Sequence, residues 1–289
     1  MPEPSAGAGG SGGGGGNGGG GEINGCEPSF DNDTIHLAVG GPIATGAEGS
    51  LCLRWTAPEA IDISGYRGTL GPAGHHALLL SRSEPTEPDG TGPCSEAEIM
   101  DTSKLGAFQI LAAVSYESSG EQFDFPSTPV QVGLHVPAGS QLVFDGHFLN
   151  ASADEIDACA TLDLNRGKPA GLKLTFRPVL PEEQYGLSIG PNSSLDVTYE
   201  EPAGSDLRIV AASAHMHEGG THFRMSVKET DQTIYETTNW ADPAPAIYGA
   251  NYIEVGAAQT LKLACSFMNT SPQAIAFPDQ MCVGGMYVF

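Results

Sequence analysis

The residues of this sequence that are best suited to chemistry are its histidines, of which there are eight in 289 residues. They are His36, His75, His76, His135, His147, His215, His217 and His222. Imidazole is the commonest metal ligand among protein side chains, and it also transfers protons near neutral pH. Five of these histidines occur in settings that suit a shared ligand, so the sequence predicts metal chemistry.

One such setting is the His-x-His motif of His215 and His217. In a β-strand, residues two apart point to the same face, so both imidazoles can reach one metal ion. The motif alone is equally typical of a solvated pair or of a pair that is satisfied within a core. His222 follows at an odd spacing, which puts it on the opposite face of a regular strand. His36 and His135 have no partner in the sequence and are interpreted as structural.

His75 and His76 are adjacent and follow the turn-forming segment 71–74, Gly-Pro-Ala-Gly. Adjacent residues of a regular strand point to opposite faces, so a shared metal ion requires a bulge or a strand end here. His147 lies in an apolar segment further along the chain. A single histidine in such a segment is more often structural than a ligand.

Met281 adds a second type of donor. A methionine in an apolar segment is usually part of the core, but Met281 precedes Cys282 and shares its half of the chain with the His-x-His motif. Two imidazoles and a thioether form a site that selects copper, Cu(I) in particular, over zinc, magnesium or calcium. Three imidazoles at His75, His76 and His147 suit copper too, although imidazole alone does not distinguish copper from zinc.

The elements that must position these side chains are predicted to be strands. Short apolar or alternating segments recur between clusters of Gly, Pro, Asn and Asp, which is typical of sandwiches and barrels. Examples are 34–39, 141–149, 172–176, 207–210 and 260–267. We expect an all-β fold of two tandem antiparallel β-sandwich domains, 26–165 and 166–289, divided near the Gly- and Pro-containing segment 165–171. A short helix is expected within Glu96–Ala113.

Charge and hydropathy exclude several classes of function. Lys and Arg number 12 against 35 Asp and Glu, so the net charge is −23. This charge excludes a basic surface for DNA or RNA and argues against docking on anionic lipid. No apolar run approaches the roughly 18 residues of a membrane-spanning helix, so no such segment is expected.

The cysteines and the N-terminal segment indicate the compartment. Six cysteines without a Cys-x-x-Cys pair disfavour a zinc ribbon and predict three disulfides in an oxidising compartment. Residues 1–25 are Gly-rich and almost free of apolar side chains, so we expect a disordered tether. The tether lacks the basic start and apolar core of a signal peptide. We therefore expect an export or anchoring segment upstream, and a protein that is extracellular, periplasmic or tethered to the cell surface.

Five motifs, in this order, resemble one known family. They are Gly74–Leu80, Gly146–Phe148, His215-x-His217-x-x-Gly220, Cys265 and Asp279–Cys282. Each motif is short, but together they are similar to the copper type II, ascorbate-dependent monooxygenases, whose familiar members are peptidylglycine α-hydroxylating monooxygenase and dopamine β-monooxygenase. The resemblance runs from about Cys26 to Phe289. The segment Asn239-Trp240 is more similar to distant bacterial members than to animal ones.

The resemblance implies two jelly-roll-like sandwiches that each hold one copper ion. The matching ligands are His75, His76 and His147 for the electron-storing copper, and His215, His217 and Met281 for the catalytic copper. The implied reaction hydroxylates a substrate C–H bond with dioxygen, a small-molecule substrate and an electron donor, usually ascorbate.

The resemblance also implies a disulfide pairing, which six cysteines alone leave open among fifteen combinations. The implied pairs are Cys26–Cys159, Cys52–Cys94 and Cys265–Cys282. In this arrangement the second bridge braces the segment that carries His75 and His76. The third bridge fixes the strand that carries Met281.

The chain departs from the peptide-amidating members at the residues that hold their substrate. Those members carry an arginine two positions before the His-x-His motif, where this chain has Ser213, and Asn and Tyr where it has Val283 and Gly285. A carboxylate is best held by a bidentate arginine, so we expect a substrate other than a peptide ending in glycine. Small residues at 283 and 285 predict room for a bulkier, neutral or cationic molecule.

Two alternatives stay open on the sequence. The first is a catalytically inactive copper-binding surface module of the same fold, which the altered substrate residues permit. The second is a zinc-binding or purely structural sandwich such as an adhesin, although Met281 as a ligand argues against zinc.

Overall fold

The computed structural model describes residues 26–289 apart from 32, 86, 95–107, 116–118, 128–130, 169–170, 218, 241–242 and 278–279. The predicted tether, 1–25, and the larger part of the predicted helix, 96–107, lie outside the described residues. The described chain is all-β, as predicted, and its helical segments are short 3-10 helices such as Glu182–Gly186 and Gly249–Asn251. None of the helices in this part of the chain is long and apolar enough to cross a membrane.

The first half of the chain forms a β-sandwich of two sheets. Its strands are β1 (Ser29–Phe30), β2 (Thr34–Ile43), β3 (Glu48–Thr56), β4 (Ile61–Leu70), β5 (Gly74–Arg82), β6 (Gly90–Pro93), β7 (Phe108–Ser115), β8 (Gln122–Asp124), β9 (Val132–Val136), β10 (Gln141–Leu149), β11 (Ile156–Arg166) and β12 (Leu172–Lys173). One sheet has the order β1-β2-β11-β4-β9-β12, with β8 also beside β4, and the other has the order β6-β3-β10-β5-β7.

The second half forms another sandwich. Its strands are β13 (Thr175–Val179), β14 (Ser188–Ile189), β15 (Ser193–Pro202), β16 (Leu207–His215), β17 (Gly220–Val227), β18 (Gln232–Thr237), β19 (Ala246–Ile247), β20 (Ile253–Val255), β21 (Thr260–Asn269), β22 (Ile275–Ala276) and β23 (Val283–Val288). One sheet has the order β13-β23-β16-β19, with β20 also beside β16, and the other has the order β15-β21-β17-β18. Because β12 still pairs with β9, the chain passes to the second sandwich between Lys173 and Thr175.

The strands form because their apolar residues follow the period of a pleated sheet. In β21 every second residue is buried, including Leu261, Leu263 and Phe267, and the residues between them are more exposed. That alternation turns one face of the strand toward the core and the other toward solvent. In the first sandwich, β10 is buried on both faces over 141–146, and its Phe144 and Phe148 are fully buried. Each sandwich therefore encloses an apolar core between its two sheets.

The segment 108–113, part of the predicted helix, is in strand β7. This strand pairs with β5, from Phe108 opposite Arg82 to Ser115 opposite His76. The pairing satisfies backbone N–H and C=O groups along β5, and tertiary pairing of this kind overrides local propensity. The helix prediction is therefore wrong for these residues.

Three disulfides cross-link strands within the individual sandwiches. They join Cys26 to Cys159, Cys52 to Cys94 and Cys265 to Cys282, which are the pairs that the resemblance implies. Each bridge lies within one sandwich, and the last links β21 to the residue that precedes β23. Disulfides form and persist in oxidising environments, so the chain has the character of an exported protein.

The two sandwiches meet around Tyr287 of β23. Its ring packs against Phe123 and Phe125 of the first sandwich and against Phe176 of the second. Its hydroxyl donates a 2.7 Å hydrogen bond to the backbone carbonyl of Leu111 in β7. This buried contact holds the sheet that contains β16 and β23 against the first sandwich.

The sandwiches also share a repeated arrangement of turns. The matching backbone hydrogen bonds are Gly74 N to Gly71 O and Leu149 N to Ala73 O in the first, and Gly220 N to His217 O and Met268 N to Gly219 O in the second. Asn150 and Asn269 then organise equivalent turns, each donating from Nδ2 to the carbonyl four residues later. The repeat makes β5 the counterpart of β17, and β10 the counterpart of β21.

Candidate metal centres

The first candidate centre consists of His75 and His76 from β5 and His147 from β10. One ligand atom from each histidine lies within 4.8 Å of the other two. The Nδ1 atoms of His75 and His76 are 3.0 Å apart, and the ring of His147 lies 5.4 and 4.7 Å from theirs, centroid to centroid. His75 is exposed and the other two are half-buried. Three imidazoles that converge at this range, open to solvent on one side, fit one metal ion.

A β-bulge lets the two adjacent histidines converge. Strand β10 places His147 opposite His76 and Phe148 opposite Gly74, so His75 is an extra residue in β5. An extra residue re-aims the side chains beside it. The structure therefore has, at this position, the irregularity that two neighbouring histidines need to share a ligand.

The turn before the bulge restricts the residue types. Ala73 has a positive φ of 61°, in the left-handed region that non-glycine residues seldom adopt. A Cβ atom at Gly74 would lie 2.9 Å from Cβ of Leu70 and 3.0 Å from the carbonyl oxygen of Gly71. Glycine at 74 thus allows the close turn that places His75 next to His76 and His147.

Glu48, which the sequence analysis missed, orients His147. Its Oε1 lies 3.0 Å from Nε2 of His147, whereas the buried Nδ1 of His147 has no hydrogen-bond partner among the described residues. A carboxylate that accepts from one ring nitrogen leaves the lone pair of the other for a metal. The unpartnered Nδ1 therefore fits a ligand atom. The contact arises because the start of β3 pairs with the end of β10. Nothing in the local sequence links Glu48 with His147.

The second candidate centre begins with His215 at the end of β16 and His217 in the following turn. Their Nε2 atoms are 2.9 Å apart, and their rings are nearly perpendicular. Met216 between them is buried in the core of the second sandwich. Both imidazoles therefore face away from that core and toward each other, as the His-x-His spacing predicts.

The backbone of Met281 lies near that of this pair, just before β23. The ladder places Val283 opposite His215. The side-chain oxygen of Gln280 accepts hydrogen bonds from the backbone N–H groups of both His217, at 2.9 Å, and Met281, at 3.0 Å. A single oxygen thus joins the backbones of the two ligand-bearing segments. The sequence analysis included Gln280 in a motif but assigned it no role.

The surroundings keep His76, His147 and His215 neutral. Burial lowers the pKa of His76 to about 3, with smaller contributions from His147, His75, His215 and His217. Burial also lowers the pKa of His215 to about 4, with His217 and His75 contributing, and it lowers the pKa of His147. Neutral imidazole is the form that binds metal, so both centres are electrostatically prepared for a cation.

The two centres are close enough to interact electrostatically. His75 contributes to lowering the pKa of His215, and His215 and His217 contribute to lowering the pKa of His76. Charges on partly solvated groups interact appreciably only over short separations. The two groups of histidines are therefore near each other, with the buried contact of Tyr287 further along β23.

The space around Ser213 and Gly285, in the strands next to His215, is occupied more fully than the sequence predicts. Ser213 lies opposite Gly285 in the ladder, and a Cβ atom at Gly285 would lie 2.6 Å from the ring of Phe176. The phenyl ring of β13 occupies the space that the missing side chain leaves. The expected room at 285 is therefore wrong, because a strand distant in sequence fills it. At the other position where room was expected, the Val283 side chain is half-buried.

The remaining histidines pair with carboxylates. The pairs are His36 with Asp163 at 2.5 Å, His135 with Asp62 at 3.0 Å and His222 with Glu236 at 2.8 Å. Cys52, Cys94 and Asp145 also have a metal-like spacing. Both sulfur atoms of that group belong to a disulfide, and a cysteine binds metal as a thiolate. Of these two groups in the described part of the chain, the three histidines are thus the one that fits a metal by both spacing and chemistry.

No family model and no curated protein matches the chain. Among solved structures, the major capsid protein P2 of bacteriophage PM2 matches with a TM-score of 0.33 at 10% identity, over 88% of this chain and 96% of that one. The PBSX exported protein XepA matches with a TM-score of 0.23 at 11% identity, over 88% and 86%. VP2 from a subviral particle of infectious bursal disease virus matches with a TM-score of 0.21 at 12% identity, over 92% and 72%. Likenesses at these scores support no functional conclusion.

Proposed function

We propose that this protein is a copper-dependent monooxygenase that hydroxylates a substrate C–H bond with dioxygen and a one-electron donor such as ascorbate. The observation that carries the proposal is the convergence of His75, His76 and His147 on one point, with the His215 and His217 pair close enough to influence the pKa of His76. The first donor set has three imidazoles, and the second has two imidazoles whose turn shares a hydrogen-bond acceptor with the backbone of Met281. A purely structural role leaves the buried, unpartnered Nδ1 of His147 without an explanation.

The donor chemistry favours copper at both centres. A thioether is a soft ligand that suits Cu(I) and is a poor ligand for zinc, magnesium or calcium. Met281 is 8% exposed, so little water competes for its surroundings. His75, His76 and His147 form a nitrogen-only centre, which copper accepts in both of its common oxidation states. Different donor sets at the two centres agree with two roles, electron storage and oxygen chemistry.

The residues of the chain orient and protect this chemistry. Bound copper supplies the redox step, in which R–H, O₂, two electrons and two protons become R–OH and water. Glu48 holds His147 with one ring nitrogen free, and burial keeps His76, His147 and His215 unprotonated at neutral pH. The buried contact of Tyr287 holds the two sandwiches together. The exposed His75 leaves the first centre open to solvent, where substrate and electron donor can approach.

The substrate class follows from the absence of a carboxylate-binding group at Ser213 and Gly285, near the second centre. Ser213 supplies no positive charge, and Phe176 covers Gly285, so neither position can hold a carboxylate in a bidentate grip. The net charge of −23 repels anions at long range. We infer a neutral or cationic substrate with an activated C–H bond, and an enzyme that acts extracellularly, in a periplasm or tethered to a cell surface.

Copper-dependent oxygen consumption tests the proposal. The copper-loaded protein is supplied with ascorbate and, in parallel, with glycine-extended peptides, phenethylamines and neutral benzylic compounds. We expect substrate-dependent oxygen uptake with at least one amine or neutral compound, and a hydroxylated product that carries ¹⁸O from ¹⁸O₂. Met281→Ala should abolish that uptake. Efficient turnover of a glycine-extended peptide would refute the substrate assignment.

Phe176 occupies the space at Gly285 where a substrate was expected. This favours one second candidate, a copper-binding surface module that has lost turnover. In that case the protein binds copper at both centres but consumes no oxygen with any of the substrate classes above. The same assay, with copper content measured on the same sample, separates the two functions.

A further inference from the structure

The segment that carries Met281 is held by side chains rather than by a strand. Gln280 is fully buried, and its Oε1 accepts from the N–H groups of His217 and Met281, at 2.9 and 3.0 Å. Its Nε2 lies 3.3 Å from the carbonyl oxygen of His217. The next residue, Cys282, donates its backbone N–H to Oε1 of Gln184 at 3.2 Å. Two consecutive backbone donors thus go to buried glutamine side chains.

The first sandwich makes the equivalent connection with backbone alone. There the N–H of Gly71, the counterpart of His217, donates to the carbonyl oxygen of Cys159 at 2.8 Å. The ladder between β4 and β11 continues as far as Leu70 opposite Ala160. In the second sandwich the ladder between β16 and β23 ends one pair earlier, at His215 opposite Val283.

Gln280 therefore takes the place of a backbone carbonyl acceptor at the point where the pairing of β16 with β23 ends. A residue within a regular strand has its side-chain direction set by the pleat. Release of the chain before Val283 removes that restriction from Met281, and the glutamine oxygen then fixes Met281 relative to His217. The hydrogen bond to Met281 is buried and the one to His217 is partly buried, so an apolar replacement removes a costly-to-lose acceptor from two backbone donors.

We propose that Gln280 is the positioning residue that holds Met281 in register with the His215 and His217 pair for metal binding. This inference rests on the proposed function, because it assumes that Met281 is a ligand. It assigns a role to a residue that makes no contact with the metal itself. The required group is the side-chain oxygen. A carboxyl group at 280, kept protonated by burial, retains that acceptor and can donate its O–H to the carbonyl oxygen of His217, whereas an alkyl group can do neither.

X-ray absorption at the copper edge, on the reduced and fully loaded protein, tests the inference. We expect Gln280→Leu to lose the copper–sulfur contribution and to weaken Cu(I) binding at the second centre about 10- to 100-fold, the usual range for loss of a supporting residue. Gln280→Glu should keep the sulfur contribution. The three-histidine centre should bind copper as before in both variants.

Gln141→Leu is the matched control, because it removes another fully buried glutamine from the first sandwich. If Gln280→Leu does not fold, Gln280→Asn retains an amide that is too short to reach both donors, and it should give the same loss of sulfur. A folded Gln280→Leu or Gln280→Asn with undiminished copper–sulfur scattering overturns the inference. Absence of sulfur scattering in the unsubstituted protein overturns the assignment of Met281 itself, and so distinguishes failure of the proposed site from failure of the positioning role.

Discussion

At the scale of single residues, Glu48 determines which ring nitrogen of His147 is available. The Glu48 side chain is 62% exposed, so its truncation should change the free energy of unfolding by no more than about 0.5 kcal/mol. We expect Glu48→Ala to weaken copper binding at the first centre about 10-fold or more, and Glu48→Gln, which keeps an acceptor oxygen, to weaken it less. Copper titration of each variant measures this. Equal affinity of Glu48→Ala and the unsubstituted protein would contradict the role.

The lowered pKa values of His76 and His215 predict how the metal-free protein responds to acid. Their folded-state pKa values, about 3 and about 4, lie below the ordinary value near 6.5. The folded state therefore favours the neutral forms, and this stabilisation is present above pH 6.5 and is lost as the pH falls toward 4 and 3. We expect the melting temperature of the metal-free protein to fall over that range, and to fall less in His76→Gln. An unchanged pH profile in that variant is the contrary result.

Spacing alone grouped His215 with His217, whereas the assignment of His147 to His75 and His76, and of Met281 to the second set, came from the family resemblance. The roles of Glu48 and Gln280 could not be predicted, because their partners are set by ladder register and by a released strand end. The expected room at Gly285 was wrong for a related reason. A glycine in the sequence indicates a missing side chain, but the ring of Phe176 that fills its place comes from another strand.

At the scale of elements, the bulge at the start of β5 is the device that forms the first centre. Gly74→Ala places a Cβ atom 2.9 Å from Cβ of Leu70, and crowding of this kind costs about 1–3 kcal/mol. We expect lower stability and weaker copper binding at the first centre, since His75 must shift with the turn. Gly49→Ala is the control, because no atom lies within 4 Å of the Cβ it would carry. Calorimetry and copper titration follow both effects, and identical results for the two variants would count against this role of the turn.

Element type was more predictable than element boundaries. Alternating burial in strands such as β21 follows directly from the sequence, so the all-β class was correct. The helix prediction failed over 108–113 because the pairing of β7 with β5 is a long-range interaction. The passage between sandwiches lies beyond segment 165–171 because β12 returns to pair with β9, a contact that local composition does not encode.

At the scale of the whole molecule, the two sandwiches are variations on one arrangement. In β17 and β21, Ser266 lies opposite His222 and Phe267 opposite Gly220, which leaves Thr221 as the extra residue. The counterparts of His75, His76 and His147 are therefore Thr221, His222 and Ser266. Each sandwich thus holds its candidate ligands in a different part of the shared arrangement.

This correspondence predicts that a third metal centre can be built. The double substitution Thr221→His and Ser266→His should place three histidines around a bulge of the same register, since His222 is already present. We expect one additional copper or zinc ion per chain, with Glu236, which already contacts His222 at 2.8 Å, orienting the counterpart of His76. The single variant Ser266→His is the control and should bind no additional ion tightly. If the double variant also binds no extra metal, the two bulges are not equivalent.

Copper stoichiometry tests the central claim most directly. Copper is counted per chain, after removal of loosely bound metal, in the unsubstituted protein, in His76→Ala/His147→Ala and in His215→Ala/His217→Ala. Two separate centres predict two copper ions in the first sample and one in each variant. Of the two variants, only the one that keeps His215 and His217 should show the copper–sulfur scattering of the unsubstituted protein. A single ion in the unsubstituted protein, or a count that neither pair of substitutions lowers, would contradict the account.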